Sequence, residues 1–184
     1  MQVTLAPAPT TGGMWCNTQV GDASSELIIE STRDATLIAK VHFRTVLIAY
    51  KSFFPPESPA PTIQELSLVW EERLADPTAR GIAASLNGHT VGMAVVRRDP
   101  DFDPEGQLLG LHVLPDVWGR GIGSALHDKA VETLRDQLYD SAGLWTIAAN
   151  KRARRMYEGR GWVTVPGIEL NHDGVSEVRY TRSL

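Results

Sequence analysis

Three glycines at alternate positions, Gly119, Gly121 and Gly123, separate an apolar run that ends at Leu114 from an amphipathic run that starts near Ala125. Glycine adopts backbone conformations that other residues avoid, so this pattern predicts a tight turn that joins a strand to a helix. The first turn of a helix carries unpaired N–H groups and a partial positive charge, and glycines let an anion approach them closely. The segment therefore predicts a site for a phosphorylated ligand, although a plain turn at a helix start fits the same residues.

The spacing of these glycines excludes two other phosphate-binding motifs. They do not follow the Rossmann pattern, and no Gly-Lys-Ser/Thr follows them as in a nucleotide-hydrolysing loop. Instead, the segment resembles the acetyl-CoA-binding motif of the GNAT acetyltransferase superfamily, Arg/Gln-x-x-Gly-x-Gly/Ala. Gly121 and Gly123 match this motif, and Trp118 occupies the position of Arg or Gln. The resemblance implies that the main chain of the turn holds the pyrophosphate of coenzyme A. Arg120 either pairs with a phosphate or is a solvated surface side chain.

A second stretch, residues 144–162, resembles the same family, in which a strand is followed by Asn-x-x-Ala-x-x-x-Tyr-x-x-x-Gly-Phe. Asn150, Ala153, Tyr157 and Gly161 match in register, with Trp in place of the final Phe. The resemblance implies that Asn150 contacts coenzyme A, a role compatible with capping a helix. It also implies that Tyr157 donates a proton to the leaving thiolate as general acid, with a core aromatic role as the alternative.

The resemblance further implies direct attack of an amine on acetyl-CoA within a ternary complex. The strand before the glycine turn is expected to separate from its neighbour, so that backbone N–H groups of Leu111, His112 or Val113 polarise the thioester carbonyl. Gln107 stands close to the position where some relatives carry a Glu base. His112 is therefore the predicted general base, directly or through water. A structural His112 is the alternative, and Glu105 is a weaker candidate for the base.

The predicted site combines catalytic and cofactor-binding residues around one phosphorylated donor, acetyl-CoA, with no metal. The catalytic residues are Tyr157 and His112. The cofactor-binding residues are Leu111, Val113, Trp118, Gly119, Arg120, Gly121, Ile122, Gly123, Ser124, Asn150 and Arg152. The candidates for aromatic walls around the acceptor, most of which fit core positions better, are His42, Tyr50, Phe53, Phe54, Trp70 and Trp145.

Composition restricts the class of protein. The 184 residues carry a net charge of -4 and no long basic run, which argues against nucleic acid as a partner. No apolar run approaches the ~20 residues of a membrane-spanning helix, and the first residues lack a secretory signal pattern, so we predict no membrane partner and a cytoplasmic location. Cys16 is the single cysteine, which excludes an intramolecular disulfide.

The resemblance implies an α/β GNAT fold: a mixed, mostly antiparallel central sheet, about four flanking helices and a splayed strand pair that holds coenzyme A. Residues 1–25 are expected to form an irregular arm, and residues 26–184 a single GNAT domain. Strands are predicted over residues 26–30, 81–86, 91–96, 107–114, 144–148, 162–165 and 177–181, with a hairpin turn at Asn87-Gly88. Helices are predicted after a cap at Ser31 or Thr32, after a capping box at Thr62, and over residues 119–137 and 150–158. The buried stripe of the second helix is expected to be Leu66, Val69, Trp70 and Leu74, and one face of the third is expected to carry Ala125, Leu126, Ala130, Leu134 and Leu138.

Together these patterns predict an N-acetyltransferase that moves the acetyl group of acetyl-CoA to the amine of a small molecule. Acetylation of a protein or peptide, use of a longer acyl-CoA, and a non-catalytic acyl-CoA-binding module are alternatives. The non-catalytic module is an alternative because Trp118 departs from the motif and the sequence shows no evident carboxylate base. A homodimer is implied by the resemblance alone.

Overall fold

The computed structural model describes residues 26–56, 58–103, 105–172 and 174–184. The predicted irregular arm, residues 1–25 with Cys16, lies outside these ranges, and its separation from one domain over residues 26–184 stays a prediction. The strands are β1 Leu27–Thr32, β2 Arg80–Leu86, β3 His89–Arg98, β4 Gly106–Val113, β5 Ser141–Ile147, β6 Val163–His172 and β7 Val175–Ser183. The α-helices are α1 Ala35–Thr45, α2 Ile63–Ala75, α3 Ile122–Asp136 and α4 Lys151–Glu158.

The strands form one seven-stranded sheet in the order β1-β2-β3-β4-β5-β7-β6. Every neighbouring pair is antiparallel except β4 and β5, which run in parallel. These two strands pair only at Gly106–Ala142 and Gln107–Gly143, and they separate beyond that point. The sheet is therefore mixed and mostly antiparallel with one splayed pair, as the sequence predicts.

Helix starts follow the capping rules, with one correction. Thr62 and Glu65 form the predicted capping box at the start of α2. The predicted cap of α1 at Ser31 or Thr32 is wrong, because both residues belong to β1. Asp34 caps this helix instead, since its carboxylate accepts from the Leu37 N–H at 2.8 Å.

The turn between β2 and β3 forms as predicted. Asn87 and Gly88 have φ angles of 51° and 76°, the left-handed conformations that a two-residue hairpin turn requires. The predicted bounds of the last three strands are less accurate. β5 begins three residues before the predicted Leu144, and β6 and β7 extend well beyond the predicted ranges 162–165 and 177–181.

Helices cover both faces of the sheet. A Cβ on Gly110 would lie 3.1 Å from the Trp70 ring of α2, whereas a Cβ on Gly92 would lie 2.7 Å from Leu126 of α3. Gly92 pairs with Val113, which is three residues from Gly110 and therefore on the opposite face. Glycine at these positions lets α2 and α3 approach β4 and β3 closely.

The predicted buried stripes need two corrections. Leu66, Trp70 and Leu74 of α2 are buried, but Val69 is exposed. Leu138 was expected to continue the buried face of α3, but the helix ends at Asp136 and Leu138 is 88% exposed with a φ of 65°. None of the helices in the described part of the chain has the length and apolar character that crossing a membrane requires.

Candidate active site

A cavity of about 910 Å³ opens where β4 and β5 separate. The turn before α3, the end of α1, the middle of α2, α4 and β7 complete its walls. It brings together every predicted catalytic and cofactor-binding residue except Arg120. Those that line it are Leu111, His112, Val113, Trp118, Gly119, Gly121, Ile122, Gly123, Ser124, Asn150, Arg152 and Tyr157.

The glycine turn presents a row of backbone donors to one end of this cavity. Gly119 and Gly121 have φ angles of 79° and 80°, and no atom lies within 4 Å of a Cβ built on either residue. The first helical bond of α3 runs from the Ala125 N–H to the Gly121 carbonyl. Within the described residues, none of the N–H groups from Gly119 to Ser124 has a hydrogen-bond acceptor. We call this segment, residues 119–124, the cradle; it has the form of an anion site.

The helix behind the cradle begins later than the sequence indicated. α3 starts at Ile122 and not at Gly119, because the left-handed Gly119 and Gly121 interrupt helical geometry before it. Arg120 contributes its N–H group to the cradle, but its side chain is exposed and does not line the cavity. The Arg120 side chain therefore fits a solvated surface arginine better than a side chain that contacts a phosphate.

Trp118 and Arg152 stand together beside the cradle. The Trp118 indole N–H donates to the Val113 carbonyl at 2.8 Å, which fixes the loop to the end of β4. The Arg152 guanidinium of α4 lies 3.8 Å from the centre of the Trp118 ring. A cation thus occupies the space next to the residue that replaces the family's Arg or Gln.

Asn150 caps α4 and also lines the cavity. Its side-chain oxygen accepts from the Ala153 N–H at 3.1 Å, the alternative that the sequence allowed. The remaining amide group of Asn150 is on the cavity wall, so capping and contact with a ligand are compatible.

The backbone of β4 carries unpaired donors where it leaves β5. The Leu114 N–H donates to Val91 of β3, and N–H groups alternate along a strand. The N–H groups of Leu111 and Val113 therefore point towards the gap, whereas that of His112 points to β3. His112 is thus wrong as a candidate for the backbone role, and Leu111 and Val113 stay candidates. Leu109 is an extra residue opposite β3, so a bulge also bends β4 beside the cavity.

Two histidines stack on the other end of the cavity. The rings of His42 and His112 lie 4.4 Å apart, and the Trp70 indole N–H donates to His42 Nδ1 at 3.1 Å. Burial, then Arg73, lowers the pKa of His42 to about 4. Burial, then His42 and Arg73, lowers the pKa of His112 well below its ordinary value. Both rings are therefore neutral near pH 7, and His112 Nδ1 is buried without a hydrogen-bond partner in the described residues.

Tyr157, Tyr50 and Glu177 also line the cavity, at the end where the two histidines stack. Burial, then Tyr50, raises the pKa of Tyr157 well above its ordinary value, so its hydroxyl stays protonated. Burial, then the charge of Glu177, raises the pKa of Tyr50 to about 12. Tyr50 belongs to a π-helical turn, residues 46–50, that extends α1 and turns this ring to 5.6 Å from His112.

Glu105 is wrong as a candidate base. Its carboxylate accepts from Arg179 at 2.6 Å and from the hydroxyls of Ser141 and Thr181, each at 3.3 Å. It does not line the cavity. Gln107 does line it, and its amide oxygen accepts from Arg97 Nε at 2.9 Å.

The six predicted aromatic wall residues, His42, Tyr50, Phe53, Phe54, Trp70 and Trp145, all line the cavity. Two charged side chains that the sequence does not predict lie on the same walls, Arg73 of α2 and Glu177 of β7. Neither belongs to a motif, and each lies far along the chain from the glycine turn. Within the described residues, no group of three or more His, Cys, Asp or Glu side chains is placed to hold a metal ion.

Comparison with known proteins agrees with this geometry. Residues 44–162 match the model of the "Acetyltransferase (GNAT) family". A mycothiol acetyltransferase from Beutenbergia cavernae is 31% identical over 110 residues, which are 60% of this chain and 37% of that protein. The chain therefore spans little more than a third of the length of this curated relative.

Solved structures show the same fold at low sequence identity. The GNAT-family acetyltransferase of Streptococcus pneumoniae matches with a TM-score of 0.65 at 18% identity, covering 86% of this chain and 99% of the other. The PaiA N-acetyltransferase of Thermoplasma acidophilum, solved in complex with coenzyme A, matches with a TM-score of 0.64 at 13% identity, covering 86% and 99%. This chain thus shares the overall fold of these acetyltransferase structures. The chain belongs to the GNAT acetyltransferase family.

Proposed function

We propose that this protein is an acetyl-CoA-dependent N-acetyltransferase that acts on a small-molecule amine by direct attack in a ternary complex. The observation that carries the proposal is one continuous cavity with the cradle at one end and Tyr157 and His112 at the other. Such a cavity admits a phosphorylated acyl donor and an acceptor at the same time, which direct transfer requires.

The donor end fits coenzyme A through its backbone. The N–H groups of residues 119–124 have no acceptor among the described residues, and the space around a Cβ on Gly119 or Gly121 is open, which suits a pyrophosphate. Arg152 adds a positive charge beside them. Acetyl-CoA, when bound, supplies an activated acetyl group as a thioester. The gap between β4 and β5 gives its arm a path, and the N–H groups of Leu111 and Val113 are available to polarise the carbonyl.

The acceptor end fits proton transfer. The transfer forms a bond between the amine nitrogen and the acetyl carbon and breaks the carbon–sulfur bond. Tyr157 stays protonated and its hydroxyl has no partner in the described residues, so it serves as the acid that protonates the departing sulfur. His112 is neutral and lines the cavity, so it accepts the proton that the amine loses, directly or through water.

A small acceptor suits the aromatic and partly enclosed walls better than a peptide. Tyr50, Phe53, Phe54 and Trp70 surround the acceptor end, and they favour a flat or amphiphilic amine. The name of the curated relatives, mycothiol acetyltransferase, refers to a small molecule. We therefore include unacetylated mycothiol among the acceptors to be tested.

The test incubates the purified protein with acetyl-CoA and a panel of small amines and peptides. Mass spectrometry reads the acetylated product, because thiol-containing acceptors obscure a free-thiol assay. We expect a small amine to be acetylated, with one coenzyme A released per product and intersecting initial-rate plots. An acetylated protein intermediate contradicts direct attack. Acetylation of peptides alone favours the protein-directed alternative, and binding without turnover on any acceptor favours a non-catalytic module.

The role of His112 has its own test within this assay. Replacement His112→Gln removes the proton acceptor, so the acidic limb of the kcat/KM profile should disappear or shift. Because the pKa of His112 is lowered, that limb should lie below pH 6.5 in the wild type. An unchanged profile in the variant removes His112 from the mechanism.

A further inference from the structure

Arg73 is a charged side chain that the proposed chemistry does not use. It lies on α2 one turn after Trp70, and its guanidinium is 4.9 Å from the centre of the Trp70 ring. The side chain is half-buried and lines the cavity. Its charge is close enough to His42 and His112 to lower the pKa of both rings. Arg73 therefore faces the space that the acceptor is proposed to occupy.

No carboxylate of the described residues lies within ion-pair distance of Arg73. Its neighbour Glu72 raises the pKa of Arg73 from a distance, but burial and Arg97 have larger effects in the opposite direction. A partly desolvated cation beside a second cation is costly unless an anion joins it. The arrangement leaves room for an anion that none of the described residues supplies.

Arg179, a fully buried arginine, differs from Arg73 in how its charge is neutralised. It is 1% exposed, and it pairs with Asp99 at 3.0 Å and Glu105 at 2.6 Å. Arg179, an arginine with a structural role, is thus neutralised by two carboxylates. Arg73 instead contacts the Trp70 ring and lines the cavity.

Two other polar side chains on the cavity wall, His42 and Gln107, also present donors. His42 Nδ1 accepts from Trp70, so Nε2 carries the proton of the neutral ring. Gln107 accepts from Arg97 through its amide oxygen, which leaves its amide nitrogen as the donor at the cavity wall. A ligand that matches these groups must therefore supply acceptor oxygens.

This donor cluster is separate from the cradle. Gln107 lies near the start of β4 and the cradle follows its end, so the two are roughly 20 Å apart along the strand at ~3.3 Å per residue. Arg73 is also on the α2 side of the sheet, whereas the cradle leads into α3 on the opposite side. One pyrophosphate bound in the cradle does not reach Arg73.

We propose that Arg73 binds an anionic oxygen group of the acceptor, a carboxylate or a phosphate, while the amine of the same molecule faces the acetyl group. The proposal rests on the proposed function, because it assigns the acceptor's chemistry. A guanidinium presents two parallel N–H donors that fit either oxyanion. The acceptor class is then an aromatic or amphiphilic amine that also carries a negative charge, such as an amino acid derivative.

Binding of three isosteric probes tests this without turnover. Phenylacetate, benzylphosphonate and neutral phenylacetamide are titrated into the protein saturated with coenzyme A, with calorimetry as the readout. We expect one or both anions to bind about 30-fold more tightly than the amide, a preference that Arg73→Gln abolishes. The preferred anion distinguishes carboxylate from phosphate. Equal binding of all three probes, or a preference that survives in Arg73→Gln, overturns the proposal.

Matched variants keep the result interpretable. Arg135→Gln makes the same change of charge on the exposed face of α3, outside the cavity, and should leave the preference unchanged. Arg73→Lys keeps the charge without the paired donors and should give an intermediate preference. Affinity for acetyl-CoA should be the same in all variants; a loss confined to Arg73→Gln assigns Arg73 to the donor and overturns the proposal.

Turnover separates this inference from the function on which it rests. Amines are compared in matched pairs, such as phenylalanine and phenylalaninamide, or phosphoethanolamine and ethanolamine. The ratio of kcat/KM within a pair should fall about 30-fold in Arg73→Gln, and comparing variants cancels the amines' own reactivity. Acetylation of amines with an unchanged ratio defeats the Arg73 proposal alone. Absence of acetylation with intact probe preference defeats the proposed function alone.

Discussion

The two ends of the cavity are built in different ways. The donor end depends on main-chain geometry, with left-handed Gly119 and Gly121 and a row of N–H groups at the start of α3 that have no acceptor in the described part of the chain. The acceptor end depends on side chains that α1, the π-helical turn, α2, β4 and β7 bring together over long sequence distances. A backbone site binds one kind of ligand wherever the turn forms. A side-chain site changes its ligand with each substitution, so the acceptor end is where this protein's specificity must lie.

The largest expected effect concerns Tyr157 at the acceptor end. Tyr157→Phe removes the hydroxyl that protonates the departing sulfur but keeps the buried ring. We expect kcat to fall roughly 10²- to 10⁴-fold, the usual contribution of general acid catalysis, while the calorimetric affinity for acetyl-CoA is unchanged. Tyr139→Phe, outside the cavity, is the control. An unchanged kcat would leave Tyr157 with a packing role only.

The acceptor end should also be the pH-sensitive end. Above pH 6.5, His42 is neutral in both the folded and the unfolded chain, so it does not affect stability there. Between pH 6.5 and about 4, only the unfolded chain binds the proton, so the free energy of unfolding falls as the pH falls. By pH 4 the loss should reach about 3 kcal/mol for this one group.

Denaturant unfolding at pH 7 and pH 4 checks this loss. His42→Gln keeps an oxygen for the Trp70 N–H but cannot titrate, so the pH-dependent loss should shrink by that amount. His89→Gln, at the exposed first position of β3, should leave the loss as in the wild type. If both variants lost the same free energy of unfolding between pH 7 and pH 4, His42 would not be the source of the loss.

The donor end should respond to backbone changes. Gly121→Ala forces an L side chain into a φ of 80°, which shifts the cradle N–H groups and should weaken acetyl-CoA binding about 10-fold. Gly88→Ala is a matched control, because Gly88 also has a positive φ and open space around a Cβ. Both variants should lose similar stability, and calorimetry should show weaker acetyl-CoA binding for Gly121→Ala alone. A loss of affinity in both would point to general destabilisation.

The smallest expected effect is on the side chain beside the cradle. Arg152→Gln removes the cation that stacks on Trp118, and we expect acetyl-CoA affinity to fall about 3-fold at low salt and less at high salt. Arg155→Gln changes the same charge on the same helix away from the cavity. Titrations of acetyl-CoA into both variants at two salt concentrations distinguish the effect of Arg152 from that of Arg155. Identical salt dependence would mean that Arg152 acts only through the protein's overall charge.

The sequence predicts the donor end well because its determinants are local. The φ requirements of Gly119 and Gly121, the cap at Asn150 and the turn at Asn87–Gly88 can each be inferred from a few adjacent residues. Even here the helix start was placed three residues early, because a glycine pattern does not show which glycine is left-handed.

The acceptor end was predicted only in part. The aromatic residues were chosen correctly, but Arg73 and Glu177 were missed, because helix and strand periodicity does not tell which element packs beside which. Glu105 was a plausible base in sequence, and only the fold shows that Arg179 and two hydroxyls occupy its carboxylate. A long-range ion pair leaves no pattern in a single sequence.

The most direct test of the central claim compares two acyl donors. Acetyl-CoA and S-acetylpantetheine share the thioester and the arm, but only acetyl-CoA carries the pyrophosphate that the cradle is proposed to hold, together with the 3′-phosphoadenosine attached to it. Calorimetric titration should show acetyl-CoA binding at least about 100-fold more tightly, as expected for several charge-assisted hydrogen bonds to backbone N–H groups. Equal affinity for the two donors, or no binding of acetyl-CoA, would contradict the account and leave Gly119 to Gly123 as a turn without a ligand.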